Sequence, residues 1–319
     1  LWQAAALGCA LLLAACEGEP EQPAAAASEK PLTSVGISVA SLRNPFHAAI
    51  ARGAAAAARE RNPNAQVTTS ADDYSAFKQA AQIDEFIAAH ADLIVLAPAD
   101  PEQIGDAIGR AHAAGITLVA VGGPAAGADA EVATDDIAAG ALACRALADR
   151  LGGHGTVAIL GGPPGPATTM RGLGCADALS QVPDIHTVAF DTIGEGTREA
   201  ARARARDLFG AAGQVDAVFA ASDLAALGAA DAAAELGRAP LIASAEGSPA
   251  IAAALASRAR ETIVATAALD PYAMGDAAVR VGNDLRDGRP PKPEQRLLDP
   301  LLVTRETVRE YKGWLAERP

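Results

Sequence analysis

Residues 92–121 read DLIVLAPADPEQIGDAIGRAHAAGITLVAV. Leu93–Ala97 is a short apolar run of strand length, closed by Pro98. Pro101–Ala114 is Ala-rich and long enough for a helix, and Gly115 stops it. Thr117–Val121 is a second apolar run of strand length. Strand, helix and strand in this order place the two strands side by side and parallel. A parallel sheet needs cover on both faces, so the unit belongs to an α/β fold.

The same alternation extends in both directions. Upstream, strands are expected at Ser34–Ala40 and Gln66–Ser70, with helices near Phe46–Arg61 and Tyr74–His90. Asn44-Pro45 suits the first helix start, Asn as cap and Pro in the first helical position. Downstream a second series begins. Its strands are Val157–Leu160, Thr187–Phe190, Ala217–Ala220, Leu241–Ser244 and Thr262–Ala265, and its helices lie near Asp136–Leu151, Thr168–Gln181, Thr197–Phe209, Asp223–Leu236 and Pro249–Arg258. A helix near Tyr272–Arg286, a turn over Asp287–Pro293, a strand near Leu298–Val303 and a last helix from Glu306 complete the chain. Gly-rich breaks at Gly122–Gly127 and Gly152–Gly155 bracket the passage between the series. The expectation is two similar three-layer, doubly wound parallel-sheet lobes rather than one wide sheet.

Bulk properties narrow the function. The 26 Lys and Arg against 39 Asp and Glu give a net charge of −13, which argues against nucleic acid or an anionic membrane surface as partner. Aromatics are only 3% of the chain, so the core is built from Ala, Leu, Val and Ile. Near the start, Leu11-Leu12-Leu13-Ala14-Ala15-Cys16 is too short to span a bilayer and fits the end of a cleaved signal. Leu13-Ala14-Ala15-Cys16 resembles the lipobox of bacterial lipoproteins at all four positions. That implies residues 1–15 as a signal peptide, lipidation of Cys16, and membrane attachment through that lipid alone. Residues 16–31 are rich in Pro, Ala and Glu and read as a flexible tether. Cys144 and Cys175 belong to the folded body, either as a disulfide of an exported protein or as two small buried hydrophobes.

Catalytic signatures are lacking. No G-x-S-x-G, H-E-x-x-H, C-x-x-C or Walker lysine loop occurs, and the five histidines have no metal-ligand spacing. No enzyme, metal or cofactor is expected. In open parallel sheets ligands sit beyond the carboxyl ends of the strands. Candidate site residues therefore lie within Ser41–Phe46, Asp72–Asp73, Pro98–Asp100, Gly122–Gly123, Gly161–Arg171, Ser222–Asp223, Glu246–Gly247 and Thr266–Asp270.

These segments carry a family pattern: Val35-Gly36-Ile37 leading to Asn44-Pro45-Phe46, Asp92 to Asp100, Gly115-Ile116-Thr117-Leu118-Val119, and Thr134-Asp135-Asp136 before a helix. Arg171-Gly172, Ser222-Asp223 with Ala226-Leu227-Gly228, Asp270-Pro271-Tyr272 and Leu302-Val303-Thr304 follow in order. The chain resembles the sugar-type, ribose-binding-like periplasmic binding proteins of ABC transporters, from about Leu32 to Tyr311. The resemblance implies the type I fold of that family, two lobes joined by a three-strand hinge and closing on a ligand. Carried over, one lobe takes residues 32–133 plus 270–298 and the other residues 134–269 plus 299–319.

It also implies a binding set. Asn44 and Phe46 stand where the family hydrogen-bonds and stacks its sugar, and Arg171 where a cleft arginine reaches ring or hydroxyl oxygens. Other positions depart: Gly122-Gly123 replaces an Asp-Arg pair, Ser222 an Asn, Glu246 an Asp and Leu269 a Gln. An aromatic expected near Gly194–Gly196 is missing, which leaves one clear aromatic in the cleft. His47 is either a further contact or an exposed helix residue. Asp73 and Asp135 are either turn and cap residues or cleft acids, and Arg171 has a structural ion pair as its alternative role. The implied function is an extracytoplasmic lipoprotein, monomeric, that captures a sugar or related polar solute and delivers it to an ABC permease. The alternative is a ligand-sensing lipoprotein feeding a membrane signalling receptor.

Overall fold

The computed structural model describes residues 30–162, 165–191, 196–211, 214–316 and 318. The expected signal peptide, Cys16 and nearly all of the tether lie outside the described residues.

The first series forms β1 (Ser34–Val39), α1 (Pro45–Arg61), β2 (Gln66–Ala71), α2 (Ala76–Ala88), β3 (Leu93–Leu96), α3 (Gly105–Ala113), β4 (Thr117–Val121) and β5 (Ala130–Thr134). The second forms α4 (Asp136–Arg150), β6 (His154–Leu160), α5 (Pro166–Ser180), β7 (Asp184–Asp191), α6 (Arg198–Ala211), β8 (Ala217–Ala220), α7 (Asp223–Glu235), β9 (Leu241–Glu246), α8 (Pro249–Ala256) and β10 (Ile263–Ala268). Then come α9 (Pro271–Arg286), β11 (Gln295–Leu298) and β12 (Leu301–Thr304). The strands make two sheets, β11-β5-β4-β3-β1-β2 and β12-β10-β9-β8-β6-β7. Leaving out the last strand of each, both have the order 2-1-3-4-5 of doubly wound folds. β11 runs parallel to β5, whereas β12 runs antiparallel to β10.

The chain passes between lobes after β5, after β10 and between β11 and β12. Each passage leaves the carboxyl end of a strand. The carboxyl ends of both sheets are therefore turned toward the same hinge, which is where ligands gather in such sheets.

Local chemistry accounts for the helix starts. Asn44 caps α1 through Oδ1 to the Phe46 N–H (3.0 Å), with Pro45 in the first helical position. Asp135 caps α4, Ser222 caps α7 and Asp270 caps α9 in the same manner. The helices approach closely because of paired glycines. A Cβ on Gly53 of α1 would stand 2.0 Å from the Tyr272 carbonyl oxygen, and one on Gly275 of α9 would stand 2.0 Å from that of Ile50. The second lobe repeats the device: Gly140 of α4 faces the Arg171 carbonyl and Gly174 of α5 that of Ile137. Cys144 and Cys175 form a disulfide across this α4–α5 pair.

Several elements depart from expectation. α2 begins at Ala76 with Ser75 as its cap, because Asp73 and Tyr74 take left-handed φ of 55° and 63°. Ala130–Thr134 is a strand that its small, mixed residues conceal. The strand expected at Leu298–Val303 is two strands in different sheets, broken at Asp299-Pro300. Among the described residues the last helix is absent: residues 305–310 form turns, and residues 311–316 are irregular.

Candidate functional site

At the carboxyl end of β1, Asn44 and Phe46 enter α1. The Asn44 side chain also donates from Nδ2 to the Tyr74 hydroxyl (3.3 Å). Phe46 meets His47 edge-on with ring centroids 5.7 Å apart, and His47 lies 5.9 Å from Tyr74. Trp314, from the irregular C-terminal segment, meets Phe46 edge-on at 5.3 Å. The expectation of one clear aromatic is thus corrected. No family motif marks Tyr74 or Trp314: a turn sets Tyr74, and Trp314 lies in the irregular tail where a helix is expected.

His47 is mostly shielded from water. Burial pushes its imidazole down to about 4, and its Nδ1 is buried without a hydrogen-bond partner. At neutral pH it is a neutral ring with an unused polar atom. Gly122 closes the wall beside Phe46. Its φ of +79° is a backbone conformation that suits glycine, and a Cβ there would lie 3.7 Å from the Phe46 ring. Asp73 lies at the surface, ion-paired to Lys78 Nζ at 2.7 Å, and this hydrogen bond holds its carboxyl below the usual range.

The second lobe contributes a buried polar cluster. Arg171 is 5% exposed. Its Nε donates to Asp136 Oδ1 (2.7 Å), and Nη1 donates to the Ala221 carbonyl (3.1 Å) and Glu246 Oε1 (3.2 Å). Burial opposes its charge, but Glu246 and Asp136 beside it more than offset that and raise its pKa. Glu246 accepts the Asp223 N–H through Oε2 (3.0 Å), and burial pushes its carboxyl up to about 7 despite Arg171. Asp223 is buried and accepts from Ser244 Oγ and the Ser248 N–H, both at 2.6 Å. Burial raises its pKa as well.

The site set expected from sequence thus divides. Asn44, Phe46, His47 and Gly122 adjoin one another, and Arg171 and Glu246 are bonded directly. Ser222 and Asp135 have their side chains in helix caps, to Ala225 N (3.3 Å) and Ala138 N (2.8 Å). Leu269 is buried, and its carbonyl accepts the Trp314 indole N–H (3.1 Å). Asp136, which enters the family pattern only as the residue after Asp135, is the shortest ion-pair partner of Arg171. Non-glycine residues with positive φ also concentrate here: Asp73, Tyr74 and Glu246 all stand at or just past strand ends. Such strained backbone gathers at ligand-holding sites. Among the described residues no group of three or more His, Cys, Asp or Glu is arranged to hold a metal.

This arrangement offers aromatic faces from one lobe and charge-assisted hydrogen-bonding groups from the other. The periplasmic binding protein domain family matches residues 35–290. The ribose import binding protein RbsB of Bacillus subtilis (strain 168) is 33% identical over 189 residues, 56% of this chain and 61% of that protein. The xylitol-binding protein of Mycolicibacterium smegmatis is 38% identical over 117 residues, 36% of this chain and 34% of that protein. The matched segments thus span 61% and 34% of the length of these relatives. An ABC transporter solute binding protein from Mycobacterium smegmatis, solved with bound glycerol, superposes with a TM-score of 0.73 at 27% identity, covering 88% of this chain and 97% of that one.

Proposed function

The chain belongs to the periplasmic binding protein family, and from that premise we propose that it is the extracytoplasmic solute receptor of an ABC transporter, taking a small sugar or sugar-like polyol between its lobes. The observation that carries this reading is the pairing of surfaces at the hinge. Phe46, His47 and Tyr74 present ring faces and edges from the first lobe. The second lobe holds the bonded Arg171–Glu246 pair at its strand ends. A polyol has C–H faces that lie against rings and hydroxyls that need partners, and leaving a buried hydroxyl unpaired costs about 1–3 kcal/mol.

Ligand capture is hinge closure. A ligand touching both lobes favours the closed form by as much as its contacts differ between the two states. The permease then reads the closed form. Attachment to the membrane is through lipid on Cys16, which keeps the receptor beside its permease. No chemistry is performed on the ligand.

The residues replaced relative to the ribose-binding pattern bear on ligand choice. Gly122-Gly123 supplies no side-chain partner, so the first lobe holds its ligand mainly through aromatic contact and the amide of Asn44. This favours a ligand with fewer fixed ring hydroxyls, and similarity to a xylitol-binding protein points the same way. A thermal-shift screen of the purified protein tests the reading with pentoses, hexoses, inositols, linear polyols, nucleosides and amino acids. Ligand that binds only the native state raises the melting temperature with concentration. The expected result is a shift with a sugar or polyol. A shift confined to amino acids or nucleosides, or none at all, contradicts it.

A further inference from the structure

The segment after β12 leaves the second lobe and reaches the first. Tyr311 donates its hydroxyl to the Gly247 carbonyl (2.8 Å), which lies just past β9 in the second lobe. Burial raises the pKa of that phenol, so it remains a donor at any ordinary pH. A Cβ on Gly247, whose φ is +78°, would stand 2.7 Å from the Tyr311 oxygen and 2.4 Å from Ala268 Cβ. The tail seat therefore requires glycine there. Three residues on, Trp314 is 7% exposed. Its indole N–H reaches the Leu269 carbonyl in the β10–α9 crossing, and its ring meets Phe46 of the first lobe. Its own carbonyl accepts a hydrogen bond from Arg52 Nη2 of α1. Gly313, with φ of +67°, lies between the two anchor points. Arg318 then pairs with both oxygens of Asp270 (2.9 and 2.7 Å) and lies over the Tyr272 ring at 5.0 Å.

We propose that Tyr311, Trp314 and Arg318 make a fourth, non-covalent tie between the lobes, and that Trp314 is a positioning residue that sets the Phe46 ring and limits how far the cleft opens. The three covalent crossings define the hinge axis. This tie adds an anchor to each lobe, with Gly313 as its joint. It also replaces the missing second-lobe aromatic with one borne by the tail. Opening the lobes separates the Tyr311 anchor from the Arg52 and Phe46 anchors, so the tie resists it. This device is independent of which solute the cleft takes.

The test is the interlobe distance distribution of the ligand-free full chain, by pulsed electron resonance between spin labels at Glu85→Cys and Asp177→Cys. Both positions are exposed, one on each lobe. Trp314→Ala and Arg52→Gln are expected to shift and broaden the distribution toward longer distances. Tyr311→Phe removes only a hydroxyl and is expected to do so in part, with the melting temperature little changed. Trp314→Phe keeps a ring against Phe46 and is expected to restore most of the wild-type distribution. Distributions superimposable on wild type in Trp314→Ala and Arg52→Gln overturn the proposal. Because no ligand is used, that outcome is separate from any failure of the sugar reading.

Discussion

Arg171, a proposed ligand contact, also bears on folding. Its guanidinium is buried between Asp136 and Glu246, so removing it strands two carboxylates. Breaking such a pair by deleting one partner costs about 3–5 kcal/mol. Because Glu246 is 29% exposed, the lower end applies. Arg171→Ala is expected to lower stability by about 3 kcal/mol in urea melts. An unchanged midpoint would remove Arg171 from the structural account. Two partly buried groups, Glu246 beside Arg171 and His47 beside Phe46, respond to pH in opposite directions. His47, held down to about 4 by burial, contributes stability above its ordinary pKa of 6.5 that is lost as pH falls through 4. Glu246, pushed up to about 7, contributes stability at low pH that is lost as pH rises through 7. Melts from pH 4 to 8 separate them. His47→Gln is expected to remove the acid-side loss, and Glu246→Gln the loss on the neutral side. A wild-type pH profile in both variants would contradict these assignments.

The α4–α5 pair holds Arg171 in place. A Cβ on Gly140 would fall 1.8 Å from the Arg171 carbonyl oxygen. Gly140→Ala is therefore expected to push α5 away, cost about 1–3 kcal/mol or more, and weaken ligand binding together with stability. Full retention of both would mean that the helices accommodate the methyl. The Cys144–Cys175 bridge closes a span of 31 residues across the same pair. Chain-entropy arguments put its contribution at about 3–4 kcal/mol. Melting with and without reductant measures it, and coincident curves would contradict that contribution. Elements were legible in the sequence where local rules act strongly. The Asn44-Pro45 cap and the fully buried Leu93–Leu96 strand stand out on composition alone. β5 did not, because Ala130, Glu131 and Ala133 carry little strand signal and register comes from β4 and β11. The tail did not either, since its conformation is set by Gly247, Leu269 and Arg52, far away in sequence.

At the scale of the molecule, two parallel sheets turn their carboxyl ends toward one hinge, and the residues gathered there are of two kinds. One lobe supplies rings, the other a satisfied ion cluster. The family resemblance was readable from ordered motifs spread along nearly the whole chain. The site was readable only in part, since Phe46 and Arg171 were marked by motif whereas Asp136, Tyr74 and Trp314 reach the site through tertiary packing. Gly122 takes a φ of +79°, a backbone conformation that suits glycine. A cleft with fewer side-chain partners in its first lobe is expected to favour flexible polyols over rigid pyranoses. Isothermal titration calorimetry of the purified protein with D-ribose, xylitol and myo-inositol tests the central claim most directly. Saturable binding of at least one of them, one molecule per chain, is expected, with weaker binding in Phe46→Ala. Absence of binding heat from all three at millimolar concentration would contradict it.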